Sequence, residues 1–133
     1  MECTFDVAVV GGGPGGAACA AICARGGLQT VLIERALFPR EKVCGDCLNP
    51  LAWSVLTELG LEERVRSLPH AVLKEVEFVG CDSRSVKVAL PAERRMELGI
   101  KRSHLDALLL QRAVELGADV RQETTLTQLD RIP

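Results

Sequence analysis

The hydrophobic pattern between Asp6 and Arg35 changes character twice. Val7, Ala8, Val9 and Val10 form an unbroken apolar run, the pattern of a short parallel strand covered on both faces. Six residues, Gly11-Gly12-Gly13-Pro14-Gly15-Gly16, then interrupt it. An alanine-rich run follows and ends at Gly26-Gly27. Ala17, Ala18, Ala20, Ala21 and Ala24 predict a slim helix, with Pro14 near its first turn, where a missing N–H costs nothing, and the glycine pair as its stop. Cys19 and Cys23 fall four residues apart on this helix, among the small residues that pack. A second apolar run, Thr30 to Ile33, ends in Glu34-Arg35.

The rest of the chain alternates in the same way. A polar connection runs from Arg35 to Lys42, and Val43 to Pro50 reads as a turn-rich loop. Asn49-Pro50 is expected to open a helix through about Leu59, with Leu51, Val55, Leu56 and Leu59 at helical spacing and Gly60 as its end. A helical turn is expected from Glu62 to about Ser67. Lys74–Val79 and Ser85–Leu90 each alternate polar and apolar residues across Gly80-Cys81-Asp82-Ser83, which predicts an antiparallel pair. Glu97–Ile100 adds a short strand. Ser103 reads as the cap of an amphipathic helix, with Asp106 at the capping-box position. Leu105, Leu108, Leu109, Ala113 and Leu116, with the stem of Arg112, mark its apolar face, and Gly117 follows its end. Ala118–Arg121 is expected to be a third parallel strand and Thr124–Leu129 the start of another.

These elements predict an α/β fold: a Rossmann-like parallel sheet with a small antiparallel β insertion at about 74–100. Residues 1–133 are read as the N-terminal portion of one domain, truncated as a fourth main sheet element begins. With 47% hydrophobic and 26% charged residues, the composition is that of an ordinary soluble globular protein. A net charge of −2 and few aromatics leave no basic, aromatic-laced face, so nucleic acid is not an expected partner. The start, Met1 to Asp6, carries acids and no basic leader pattern, so a cytoplasmic location is expected. Val7 to Ala24 is uncharged, but its glycines and Pro14 break it too often for a membrane span. Without an export signal, the six cysteines read as free thiols rather than a disulfide framework, Cys3 and Cys81 included.

Chemistry concentrates in the glycine turn. Gly11 permits the sharp exit from the first strand, Gly13 lets a diphosphate approach the backbone, and Gly16 lets the helix lie close to the strands. The first helical turn, with Pro14 and Gly15, presents unpaired N–H groups and the positive end of the helix dipole to an anion. Glu34 lies 23 residues beyond Gly11, near the spacing of an acid that accepts from ribose hydroxyls. Strand, turn, helix, strand and acid in this order point to a dinucleotide. Arg102 precedes a helix, which suits an anion clamp; the competing reading is a surface arginine paired to Asp106 or solvent. Cys44-Gly-Asp-Cys47 leaves three readings open: a redox pair, half of a zinc site, or one functional cysteine with an incidental neighbour. His70, His104 and Cys81 are scattered, so no metal is expected, and no catalytic acid or base can be named; His104, in a first helical turn, reads as a surface residue.

Two further segments carry a resemblance. They are Pro39-Arg40-Glu41-Lys42-Val43-Cys44-Gly45-Asp46-Cys47-Leu48-Asn49-Pro50 and Ile100-Lys101-Arg102-Ser103-His104-Leu105-Asp106-Ala107-Leu108-Leu109. With the Gly11 to Glu34-Arg35 fingerprint, the chain resembles the N-terminal part of FAD-dependent oxidoreductases of the geranylgeranyl reductase-like group, related to the aromatic-ring hydroxylases. The resemblance implies FAD as cofactor. It implies that Gly11, Gly13, Pro14, Gly15 and Gly16 bind the diphosphate and that Glu34 binds the adenosine ribose. Arg35 and Arg40 would lie on the adenosine and diphosphate side, Arg102 would contact the cofactor, and Cys44 and Gly45 would sit near the flavin. The implied partners are NAD(P)H or another electron donor and a small-molecule or lipid substrate. The family's members are longer, so the chain is expected to be a fragment. The leading expectation is a flavin-dependent dehydrogenase, reductase or monooxygenase. A nucleotide-binding module completed by a partner chain and an NAD-dependent dehydrogenase are the alternatives.

Overall fold

The computed structural model describes residues 4–44, 46–91 and 97–130. Cys3 and Gly45, both named above, lie outside the described residues. The chain divides into two compact units, Met1–Lys42 with Arg102–Pro133, and Val43–Lys101.

The first unit is the α/β part. Strands β1 (Val7–Val10), β2 (Thr30–Ile33) and β8 (Asp119–Arg121) form a parallel sheet in the order β1-β2-β8. Its central strand, β2, is the buried apolar one, with Thr30, Val31 and Leu32 all covered. β1 departs from the expected double coverage: its residues alternate half-buried and exposed, and Val10 is open to solvent. Alternation of this kind belongs to a strand with one face packed, here the Val9 side against helix α1 (Pro14–Arg25), and β1 has one hydrogen-bonded neighbour among the described residues.

Helix α1 (Pro14–Arg25) starts with Pro14 in its first turn and has no side-chain cap. Ala17, Ala20 and Ala21 form its buried stripe. Cys19 is exposed and Cys23 half-buried, so packing on this helix falls to the alanines and not to the thiols as expected. Helix α4 (Arg102–Glu115) packs against α1 and buries Leu105, Leu108, Leu109, Leu110 and Ala113. The capping role expected of Ser103 does not occur. The helix begins one residue earlier, at Arg102, Ser103 is buried inside its first turn, and the Asp106 carboxylate is taken by the Arg102 side chain. Gly117 adopts φ 101° after the helix, a left-handed conformation that lets Ala118 N–H reach the Ala113 carbonyl at 3.0 Å. The strand expected at Thr124–Leu129 is absent. Glu123 takes φ 53°, and the chain turns so that Thr124 N–H donates to the Glu34 carbonyl at 3.0 Å.

The second unit contains helices α2 (Ala52–Glu58) and α3 (Glu62–Ser67), a small antiparallel sheet and a hairpin. The sheet joins β3 (Cys47–Leu48), β7 (Leu98–Gly99) and β4 (Ala71–Val72) in the order β3-β7-β4; neither β3 nor β4 is evident from hydrophobic periodicity. α2 starts later than expected. Asn49 folds back as a local turn, its side-chain oxygen accepting from Leu51 N–H at 2.8 Å, so Leu51 is exposed while Trp53, Leu56 and Leu59 form the core. The hairpin pairs β5 (Glu75–Val79) with β6 (Ser85–Ala89) in the expected antiparallel sense. Val76 stands opposite Val88 and Phe78 opposite Val86, with Phe78, Val86 and Val88 exposed. No helix among the described residues is long and apolar enough to cross a membrane.

The contact between α1 and the glycine turn yields a prediction. A Cβ on Gly16 would run into the Gly11 carbonyl and stand 3.4 Å from Val9 Cγ1, whereas a Cβ on Gly15 meets nothing among the described residues within 4 Å. Gly16→Ala should therefore destabilise the chain by about 1–3 kcal/mol. Gly15→Ala should change stability by less than about 1 kcal/mol. Urea unfolding of the two variants checks the contrast.

Candidate functional site

The amino end of α1 and the carboxyl ends of β1 and β2 border a cleft of about 630 Å³, lined in part by Gly11, Gly13, Glu34, Arg35, Arg40 and Thr124. Crevices at the carboxyl ends of parallel strands are where open α/β sheets bind ligands. Gly11 turns the chain out of β1 with φ 101°, a conformation that strains any residue with a Cβ, while its N–H donates to the Ile33 carbonyl at 2.8 Å. The turn is thus tied to the end of β2 before α1 begins.

Glu34 is buried, with 5% of its surface exposed, and both carboxylate oxygens are engaged. One accepts from Gly12 N–H at 2.6 Å and the other from Ala36 N–H at 2.8 Å. A carboxylate offers about four acceptor positions, so two remain for a ligand hydroxyl. Gly12 was not singled out by sequence, yet a Cβ there would press within 3.2–3.3 Å of the Glu34 side chain. Burial pushes the Glu34 pKa up, but the bonds from Ala36 and Gly12 and the charges of Arg40 and Arg35 outweigh it. The carboxyl is held below its ordinary value.

A cationic cluster stands beside Gly13. Arg102 donates Nε to Asp106 Oδ1 at 2.7 Å and Nη2 to Asp106 Oδ2 at 2.9 Å, a forked pair on one helical turn. Arg40 places Nη1 3.4 Å from Asp106 Oδ2 and lies 4.6 Å over the Phe38 ring. Asp106 is fully buried beneath the two guanidinium groups. A Cβ on Gly13 would stand 3.8 Å from Arg102 Nη2 and 3.9 Å from Arg40 Nη2. Sequence alone offered an anion clamp and an Asp106-paired arginine as rivals for Arg102; the structure shows the pairing with Asp106, and beside Gly13.

These residues fit an adenine dinucleotide. Arg40 Nη1 is spent on the Asp106 ion pair, which leaves Arg40 Nη2 and Arg102 Nη2 as the guanidinium atoms nearest the Cβ position of Gly13. Gly13 is small although its own surroundings would admit a Cβ, which leaves its missing side chain to be explained by something that binds there. Arg35 is exposed at the rim of the same cleft. Asp106 is the component that sequence reading treated as a cap, although its spacing of four from Arg102 was a visible signal. Thr124 also reaches the cleft, from the segment that was expected to be a strand.

The cysteine motif belongs to the second unit and is described by itself. Cys44 and Cys47 are both exposed, and the Cys47 thiol sits 3.7 Å from Glu97 Oε1. Burial, then the charge and hydrogen bond of Glu97, push the Cys47 pKa up, opposite to the direction a reactive redox thiolate needs. Among the described residues no group of three or more His, Cys, Asp or Glu side chains is placed to hold a metal. His70 is exposed with Nδ1 2.8 Å from the Leu68 carbonyl. His104 is half-buried rather than at the surface, with Nδ1 buried and without a partner among the described residues.

Comparison with known proteins bears on this geometry. The sequence profile of the FAD binding domain family matches residues 4–131, and FAD is the cofactor of that domain. Menaquinone reductase from Mycobacterium tuberculosis is 38% identical over 121 residues, covering 89% of this chain and 29% of the reductase. The structure of a geranylgeranyl bacteriochlorophyll reductase-like protein from Thermoplasma acidophilum superposes with a TM-score of 0.73 at 27% identity, covering 90% of this chain and 30% of that one. A flavin-dependent halogenase superposes with a TM-score of 0.80 at 30% identity, covering 98% of this chain and 24% of the halogenase. The chain spans less than a third of the length of the curated relatives compared with it, from 17% to 32%.

Two predictions follow from the charges. Glu34 has a depressed folded-state pKa, so its stabilisation is fully present above its unfolded value of about 4.3 and is lost as pH falls through the lower folded value. Glu34→Gln should cost about 1–3 kcal/mol near neutral pH, because an amide cannot accept from both backbone donors. That deficit should shrink below about pH 4; urea midpoints measured from pH 3 to pH 7 test it. For Cys47, alkylation by iodoacetamide at pH 7 should be slower than for an ordinary exposed thiol, and Glu97→Gln should speed it by removing the neighbouring charge. Mass spectrometry of the labelled peptide reads both rates.

Proposed function

Because the chain belongs to the FAD-binding domain family, we propose that it forms the part of a flavin-dependent oxidoreductase that holds the ADP half of FAD. The observation that carries this reading is the arrangement around Gly13. Two guanidinium groups flank it at the amino end of α1, Arg102 Nη2 standing 3.8 Å and Arg40 Nη2 3.9 Å from its Cβ position. In this reading Gly11 to Gly16 and the first turn of α1 hold the diphosphate with Arg40 and Arg102. The remaining acceptor positions of Glu34 take the adenosine ribose hydroxyls, and Arg35 lies on the adenosine side. Cys44 and Gly45 would stand toward the flavin. Bound flavin supplies the electron-transfer chemistry, while the protein supplies binding, orientation and electrostatics.

Within that class we favour a reductase of the geranylgeranyl reductase-like kind, with NAD(P)H or another electron donor and a lipid or other small-molecule substrate. The similarities to menaquinone reductase and to the geranylgeranyl reductase-like protein support this branch; the similarity to a halogenase marks the monooxygenase-related branch as its competitor. Residues 1–133 would then be the N-terminal portion of the FAD domain, with the hairpin region at about 74–100 inserted. A second reading is a nucleotide-binding module that acts with a partner chain.

Titration of the purified chain with FAD, followed by flavin fluorescence and competed with ADP, tests the cofactor reading. FAD should bind and ADP should displace it. Gly13→Ala places a methyl between the two guanidinium groups at ordinary contact distance, so its folding midpoint should move little. Its ADP affinity should fall roughly tenfold or more, equivalent to about 1.4 kcal/mol. A folded wild-type chain that binds neither FAD nor ADP would overturn the proposal.

A further inference from the structure

The carboxylate beneath the cationic cluster has no ligand role in the reading above, and it could not reach a ligand: Asp106 is fully buried and covered by Arg102 and Arg40. We infer that Asp106 is the positioning residue of the diphosphate site: it fixes the Arg102 and Arg40 guanidinium groups beside Gly13 and so gives the site its preference for phosphate over bare nucleoside. This inference rests on the cofactor reading and deepens it.

Three observations carry it. First, Arg102 Nη2 serves two directions: it donates to Asp106 Oδ2 at 2.9 Å and stands 3.8 Å from the Cβ position of Gly13. The forked pair with Nε fixes the guanidinium plane, which a single bond would leave free to turn. Second, Arg40 comes from a different segment, yet Nη1 meets the same carboxylate oxygen at 3.4 Å. One anion therefore sets the spacing of two cations that would otherwise repel. Third, the side chains are covered: Arg40 is 15% and Arg102 14% exposed, against 0% for Asp106. In such surroundings an arginine fixed before a ligand arrives keeps the ordering cost of binding low. Two guanidinium groups and one carboxylate leave one net positive charge beside the α1 amino end, which suits an anionic ligand.

A simple charge count and a positioning role predict opposite results for Asp106→Asn. Removing a negative charge from a phosphate site should strengthen phosphate binding by Coulomb attraction. Loss of the anchor should weaken it, because both guanidinium groups become free to rotate and to separate. The experiment titrates ADP and adenosine into wild type and Asp106→Asn, read by ligand-observed NMR, with circular dichroism reporting folding. Wild type should prefer ADP. In Asp106→Asn, ADP affinity should fall about tenfold, equivalent to about 1.4 kcal/mol, while adenosine affinity stays within about twofold, because Asp106 acts through groups aimed at phosphate. Equal losses for both ligands would mean a merely structural role and would overturn the inference. So would tighter or unchanged ADP binding. A wild-type chain with no ADP binding overturns the cofactor reading and this inference together. If Asp106→Asn does not fold, Arg102→Met is compared with Arg102→Met/Asp106→Leu, which replaces the buried pair by apolar groups. The double variant should lose more ADP preference than the single one, because Arg40 then loses its anchor as well. Equal preference in the two variants would overturn the inference.

Discussion

Every polar group of Glu34 is used to hold other segments in place, and the site is built around that residue. Its carboxylate takes the N–H groups of Gly12 and Ala36, its own N–H donates to the Arg121 carbonyl, and its carbonyl accepts from Thr124. The glycine turn, the exit of β2, the end of β8 and the segment after it therefore meet at one residue. Placing a carboxylate in such a position carries a desolvation cost, and two backbone donors with nearby arginines offset it. The geometry also restricts the turn itself. Gly12 has almost no room for a side chain because Glu34 leans on it, so the turn and the acid constrain each other.

Acid and base meet at the cleft, where the charges of Arg40 and Arg35 help to hold the Glu34 carboxyl below its ordinary value. Glu34 occupies the end of β2, while Arg40 and Arg102 gather over Asp106 on the side of α4. A sugar presents hydroxyl donors and a diphosphate presents oxygen acceptors, and carboxylate and guanidinium groups are the side chains that answer those two needs. Asp106 and the Phe38 ring support the cationic side from below, and neither depends on a ligand for its place. The site is thereby assembled from within the α/β unit.

What sequence could show was whatever depends on local sterics. The stretch from Gly11 to Glu34 was legible because each position answers to a nearby demand: a turn out of a strand, a helix lying against Val9, a stop at Gly26 and Gly27. The hairpin was legible for the same reason, its alternation and turn being neighbours in the chain. The failures have non-local causes. Nothing in Val7 to Val10 says that one face of the strand is open, because that depends on what packs against it. Ser103 has the identity of a cap, but Arg102 wins Asp106 and carries the helix start back by one residue. Thr124 to Leu129 has the composition of a strand, yet Glu123 turns the chain toward the Glu34 carbonyl. Trp53, the largest fully buried side chain among the described residues, has no place in the leucine spacing of its helix and owes its burial to tertiary packing. The roles of Gly12 and Asp106 required coordinates, since both act on residues whose positions are set by tertiary packing.

The hairpin of β5 and β6 has a consequence for motion. Among the described residues its backbone ladder pairs the two strands only with each other, and every residue in it except half-buried Val76 is exposed. A two-stranded ribbon with no covering layer is marginal by itself. Its amide protons should therefore trade with solvent through local fraying, on a timescale set by the ribbon alone, while the amides of β2 wait for the opening of the whole α/β unit. One chain thus carries two clocks, a fast one in the ribbon and a slow one in the central strand of the parallel sheet.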